Sequence, residues 1–166
     1  MWPTVDALWG SARQVFLEQS GYKQAEWGGT EVSPGVFVGN LASAFDKEEL
    51  EKHDIQAIVC CVRGVVHTAL PTLHVELTDN ENEDFKVHFD SIIEFADKYE
   101  RILYHCSFGV SRSTTAALVV VLSRDDDLLV TTALENFRSA RPCCSPNDAF
   151  LGQLIDWSTD PPASKP

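Results

Sequence analysis

An α/β fold, with a largely parallel sheet and helices on both faces, is predicted by three observations. Short apolar runs of β character alternate along the chain with segments of helical periodicity. One alternation, over residues 101–122, is a strand, a tight polar loop and a helix in immediate succession. The 166 residues, 44% of them hydrophobic, supply one domain with a substantial core.

The elements follow in order. Within residues 5–19, Val5, Leu8, Trp9, Ala12, Val15 and Phe16 recur three and four apart, the spacing of an amphipathic helix. Residues 21–35 contain Gly21, Gly28, Gly29 and Pro34 and read as a loop. Strands are predicted at 36–39, 56–62, 73–77 and 101–105. Between the last two, Phe85, Phe89, Ile92, Ile93, Ala96 and Tyr99 share one helical face. Further helices fit 112–123, 129–139 and 146–157. Ser145 with Pro146 at the first helical position, and Asp148 three residues on from Ser145, marks the start of the last. Asp125, Asp126 and Asp127 form a solvated junction between helices. The organisation expected is an N-terminal helix and loop (1–32), one catalytic domain (33–158) and a flexible tail (159–166), without internal repeats.

Chemistry concentrates in the run His105-Cys106-Ser107-Phe108-Gly109-Val110-Ser111-Arg112-Ser113. A helix N-terminus after a strand and a tight loop is an anion site, because unpaired amides converge there with the positive end of the helix dipole. Amides in such a loop can form a concave nest for the oxygens of a phosphoryl group. The same field favours a thiolate, so the Cys106 pKa is expected to fall from its usual value of about 8.5. Gly109 permits a turn that a side chain would obstruct. Arg112 supplies a planar, permanently charged fork that grips two phosphate oxygens. Ser113 can donate a hydroxyl hydrogen bond to the sulfur. Nucleophile, oxyanion cradle and charge clamp in one loop read as phosphoryl transfer through a cysteinyl-phosphate.

This run resembles the His-Cys-x5-Arg-Ser/Thr signature of cysteine-dependent dual-specificity protein phosphatases. The resemblance covers residues 33–158. Val36 to Asn40 and then Leu41 to Ala44 resemble the family's opening strand and turn, and residues 48–62 its following helix and core strand. Arg141-Pro142 and the stretch Ser145 to Leu154 resemble its closing helix. The implied fold is a central mixed, largely parallel sheet flanked by helices. The implied site has Cys106 as nucleophile, Arg112 as clamp, Ser113 assisting the thiolate, and Ser107, Phe108, Gly109, Val110, Ser111 and Arg112 holding substrate. His105 and Asn147 are implied supports, His105 through a hydrogen bond that stiffens the loop. The implied activity is hydrolysis of phosphotyrosine and phosphoserine or phosphothreonine in proteins by a small, atypical member, without metal or organic cofactor.

A leaving group needs a proton, and Asp79, Glu81, Glu83 and Asp84 precede the loop strand. Asp79, at the end of a strand and above the site, is the expected general acid. Asp84 is the alternative and otherwise the N-cap of the next helix. Arg141 is read as a structural surface arginine, with a second substrate phosphate as the competing role. Cys60 and Cys61, on a core strand, are read as packing residues, with a redox disulfide to Cys106 as the competing role. Trp2, Trp9 and Trp27 are expected to pack on the domain, or else to dock partners.

A net charge of −12 without a basic run opposes binding to nucleic acid or anionic lipid. The uncharged loop positions favour a phosphoprotein over an inositol lipid or an RNA end. A phosphoinositide or other non-protein phosphatase, and a phosphoprotein-binding module without turnover, are the alternatives. No apolar run reaches membrane-span length. Five cysteines with no disulfide framework and no zinc-type spacing fit a reducing cytoplasmic or nuclear compartment. Nothing in the sequence bears on oligomeric state.

Overall fold

The computed structural model describes residues 27–64 and 68–159. The helix expected at 5–19, Trp2 and Trp9 lie outside the described residues. Five strands form one sheet: β1 (Gly29–Ser33), β2 (Val36–Gly39), β3 (Ala57–Cys60), β4 (Thr72–His74) and β5 (Ile102–His105), in the order β1-β2-β5-β3-β4. Only β1 runs antiparallel to its neighbour, so the sheet is mixed and largely parallel. Among the described residues five α-helices accompany it: α1 (Lys47–Lys52), α2 (Phe89–Ala96), α3 (Arg112–Ser123), α4 (Val130–Ala140) and α5 (Asp148–Thr159). Short 3-10 turns at Leu41–Phe45 and Lys86–His88 lead into α1 and α2.

Strand alternation sorts the core into two layers. Val36, Val38, Ala57, Val59, Ile102 and Tyr104 face a large cluster shared with α2, α3, α4 and α5. Phe37, Ile58 and Leu103 point to the opposite face, where Ala44, Leu50 and Ile55 cover them. α3 is buried nearly all round, from Ser113 to Val120 and again at Leu122. Its first turns must therefore be small, and Ser113, Thr114, Thr115, Ala116 and Ala117 supply that.

Three expectations are corrected. The Gly-rich segment 21–35 is not all loop. Gly29 to Ser33 pairs with β2 through a turn in which Gly35 has φ +74°, and a Cβ there would lie 2.0 Å from the Glu100 carbonyl oxygen. The sheet thus begins ahead of residue 33. Asp84 does not cap the next helix; the Phe85 and Lys86 amides donate instead to Gln153 Oε1 of α5, at 2.8 and 3.2 Å. The last helix starts at Asp148 rather than Pro146, with Asn147 Oδ1 accepting from the Phe150 amide at 2.9 Å.

Trp27 packs on the smaller core layer. Its ring stacks on His53 at 4.7 Å and tilts against Phe37 at 6.0 Å, and its indole N–H donates to the Ser43 carbonyl. Trp27→Ala should therefore destabilise the domain by about 2–4 kcal/mol. Urea unfolding should show a lowered midpoint at unchanged slope; an unchanged midpoint would mean that the indole carries no packing role.

Candidate active site

β5 lies between β2 and β3, with His105 in register with Gly39 and Cys60. The chain leaving β5 therefore emerges at the carboxyl edge of the parallel strands, the usual crevice for ligands in such sheets. The loop 106–111 then turns into the N-terminus of α3. Gly109 sits at φ +67°, and a Cβ on it would meet the Gly39 backbone at 2.6 Å and Arg141 Nη2 at 2.5 Å. The expectation of a glycine-only turn holds for a local reason and a long-range one.

Supports from distant parts of the chain hold the loop carbonyls. The Leu41 amide donates to Ser107 O at 3.3 Å, and the Ser145 amide to Val110 O at 2.9 Å. Arg141 Nε donates to Gly109 O at 3.0 Å, while its Nη1 donates to Gly28 O and Thr30 Oγ1. Arg141 is thus a strut from α4's end to β1 and the loop, its fork spent on protein rather than offered to a second phosphate. The Ser111 side chain, read as a substrate contact, is buried and accepts from the Asn147 amide at 2.9 Å. It braces the loop.

With carbonyls held by these supports, amides serve the sulfur. Cys106 is 2% exposed. Burial alone pushes its thiol up, but hydrogen bonds from the Ser113 hydroxyl and from the Ser113, Val110 and Gly109 amides outweigh that and bring it below the ordinary cysteine value. Ser113 Oγ lies 3.2 Å from Sγ and the Gly109 nitrogen 3.3 Å. Cys60 and Cys61 are buried free thiols pushed up by that burial, opposite in direction to Cys106.

Arg112 Nη2 donates to Ser107 Oγ at 3.2 Å and Nη1 to the Leu77 carbonyl at 3.1 Å, while its buried Nε makes no hydrogen bond to the protein. Phe108 is the outlier of the loop, 79% exposed at the rim. His105 is fully buried, and neither ring nitrogen forms a good hydrogen bond. Burial lowers its pKa to about 4 against a small opposing pull from the Cys106 backbone, so it is neutral. Its ring is packed within the sheet, and the expected stiffening hydrogen bond from it is not formed.

Two residues beyond Leu77 stands Asp79, exposed, with Oδ1 accepting from Asn147 Nδ2 at 2.9 Å. The Leu77 carbonyl, accepting from Arg112 Nη1, ties this segment to the first residue of α3. Glu83 turns back on the segment, taking the Thr78 amide at 3.1 Å, the Thr78 hydroxyl, and Arg63 Nη2 at 3.1 Å. The roles of Arg141 and Gln153 escaped sequence reasoning because their partners lie far away in the chain, and that of Glu83 because a turn closing on a carboxylate five residues on has no sequence signature of its own. Among the described residues no group of three or more His, Cys, Asp or Glu side chains could hold a metal ion, and no helix is long and apolar enough to cross a membrane.

Comparison with known proteins places this geometry. The model of the dual specificity phosphatase catalytic domain matches residues 36–160. Dual specificity protein phosphatase 22-B of Danio rerio is 32% identical over 143 residues, spanning 77% of this chain and 73% of that one. Dual specificity protein phosphatase 1 of Arabidopsis thaliana is 29% identical over 137 residues, 75% of this chain and 66% of the relative. The chain thus spans about two thirds to three quarters of these two proteins. A mouse putative dual specificity phosphatase, solved in complex with zinc tungstate, superposes with a TM-score of 0.74 at 26% identity, over 83% of this chain and 91% of that one. With its fold and its matched catalytic domain, the chain belongs to the dual specificity phosphatase family.

Proposed function

We propose that this chain hydrolyses phosphomonoesters on tyrosine and on serine or threonine of proteins, through a cysteinyl-phosphate formed on Cys106. One observation carries the reading. A buried sulfur with a lowered pKa accepts from Ser113 and Gly109 on a loop whose arginine keeps a buried, unbonded N–H. The thiolate attacks phosphorus in line with the ester oxygen. The P–S bond forms as the P–O bond breaks, and the leaving oxygen takes its proton from Asp79. Loop amides and Arg112 stabilise the equatorial oxygens as charge spreads over them. Asp79, now a carboxylate, accepts a proton from water as the water oxygen attacks phosphorus. The P–S bond breaks, phosphate departs, and Ser113 stabilises the returning thiolate.

The substrate class rests on charge and shape. The loop offers Ser107, Phe108, Val110 and Ser111, none of them cationic, so nothing there favours the multiple phosphates of an inositol lipid. Exposed Phe108 gives the rim an apolar surface suited to a peptide beside its phosphoresidue.

Cys106→Ser should abolish turnover of an aryl phosphate, by more than about 1,000-fold, while inorganic phosphate still protects the protein against thermal unfolding. Retained turnover would end the covalent reading. Asp79→Ala should slow hydrolysis of phenyl phosphate by about 100- to 1,000-fold, and equal loss in Asp84→Ala with none in Asp79→Ala would move the acid to Asp84. The sulfur can be titrated directly through its alkylation rate. Because the Cys106 pKa is lowered, the wild-type midpoint should fall below that of free cysteine. Ser113→Ala removes the strongest of the hydrogen bonds that lower it, so the midpoint should move to higher pH. A midpoint that stays put would assign the stabilisation to the amides alone.

A further inference from the structure

Five carboxylates crowd the segment between β4 and α2, yet one of them is unlike the others. Glu83 Oε1 accepts the Thr78 amide and the Thr78 hydroxyl, and the same oxygen meets Arg63 Nη2, just past β3. The Thr78 hydroxyl in turn accepts from Asn80 Nδ2 at 2.6 Å, and Asn80 Oδ1 accepts from the Asn82 amide at 2.8 Å. The Glu83 carbonyl takes Gln153 Nε2 of α5 at 3.0 Å. Residues 77–83 are therefore tied at both ends to the rest of the site, through Leu77 O on Arg112 and Glu83 O on Gln153. Within the segment the Glu83 carboxylate is the acceptor around which the turn closes. It flanks Asp79 without touching it.

We propose that Glu83 is the positioning residue of the general acid: by gripping both donors of Thr78, its carboxylate presets the turn that presents Asp79 before substrate arrives. This rests on reading Asp79 as the acid. Glu83 is unsuited to acid chemistry itself. The Thr78 hydrogen bonds first, and Arg63 after them, hold its carboxyl down at about 2, so it is an anion at any pH where a protonated acid and a thiolate coexist. A turn already ordered spares the reaction the cost of fixing the acid, and displacement by an ångström can forfeit much of its benefit. The segment then needs no closing step of its own.

The experiment compares two aryl phosphates, phenyl phosphate, whose leaving group needs a proton, and dinitrophenyl phosphate, whose leaving group does not. Glu83→Ala should lower kcat/KM on phenyl phosphate about 10-fold, and on dinitrophenyl phosphate less than about 2-fold. Glu83→Gln should recover most of that loss, since its carbonyl still accepts from Thr78. If Glu83→Ala does not fold, Thr78→Val, which removes the hydroxyl with its bonds to Glu83 and Asn80 but keeps the amide, should show the same selective loss. Asp79→Ala is the reference. If it changes the ratio between the substrates and Glu83→Ala does not, or lowers both equally, the positioning role is overturned and the acid assignment survives. If Asp79→Ala itself leaves the ratio unchanged, the acid assignment falls and the positioning role with it.

Discussion

A cysteine that is 2% exposed can carry a negative charge on its sulfur only if donors replace the water it has lost. That requirement shapes the molecule around Cys106. A short loop carries as many carbonyls as amides, and a carbonyl aimed at the sulfur would oppose its ionisation. Ser107, Gly109 and Val110 each give their carbonyl to a donor from outside the loop: the Leu41 amide, the Arg141 guanidinium and the Ser145 amide. The segments that supply those donors follow β2, α4 and the α4–α5 turn. Much of what looks like connecting chain is therefore scaffold for one charge. None of these bonds touches the sulfur; they hold the loop carbonyls on donors from elsewhere, while the Gly109, Val110 and Ser113 amides serve it.

Sheet order makes the scaffold possible. With β5 between β2 and β3, the loop opens at the meeting point of three strand ends. Gly39 approaches so closely that the Cys106 amide reaches its carbonyl at 3.3 Å. The helix after the loop must then pass through the core, which is why α3 buries Thr114 and Thr115 beside valines instead of showing one apolar stripe. The same burial keeps its N-terminus where the dipole acts on the sulfur through little intervening water.

What could be read from the sequence was local. The loop and its glycine, the strand before it and the helix after it are set by neighbours, and residues 101–123 fold as their pattern indicates. Signals failed where a distant residue outcompeted a near one. Asp84 has the chemistry of a helix cap, but Gln153 reaches the same amides from α5. Ser145 and Pro146 spell a helix start, yet the Ser145 amide is drawn to Val110, and the helix waits for Asn147. Gly28 and Gly29 suggest a loop, but Gly29 begins a strand, because an edge strand beside a bulky ring needs little side chain. A Cβ on Gly29 would lie 2.7 Å from the Trp27 ring. Arg141 was legible as structural and illegible as a strut, since its partners at residues 28, 30 and 109 are separated from it in the chain by 113, 111 and 32 positions.

Arg112 shows how the proposed nucleophile and acid come to share one braced unit. Its Nη2 reaches back to Ser107 in the loop, and its Nη1 reaches across to Leu77, two residues before Asp79. A point charge such as lysine could attract a phosphate equally well at long range. It could not hold two elements apart at a fixed angle and still face an anion, because that needs the planar, five-donor fork. The side chain proposed to meet the phosphoryl oxygens therefore also ties the segment that carries Asp79 to the loop that carries Cys106. In the proposed mechanism an anion would meet a group already braced from both sides, which would couple the geometry of attack and that of proton delivery through one guanidinium.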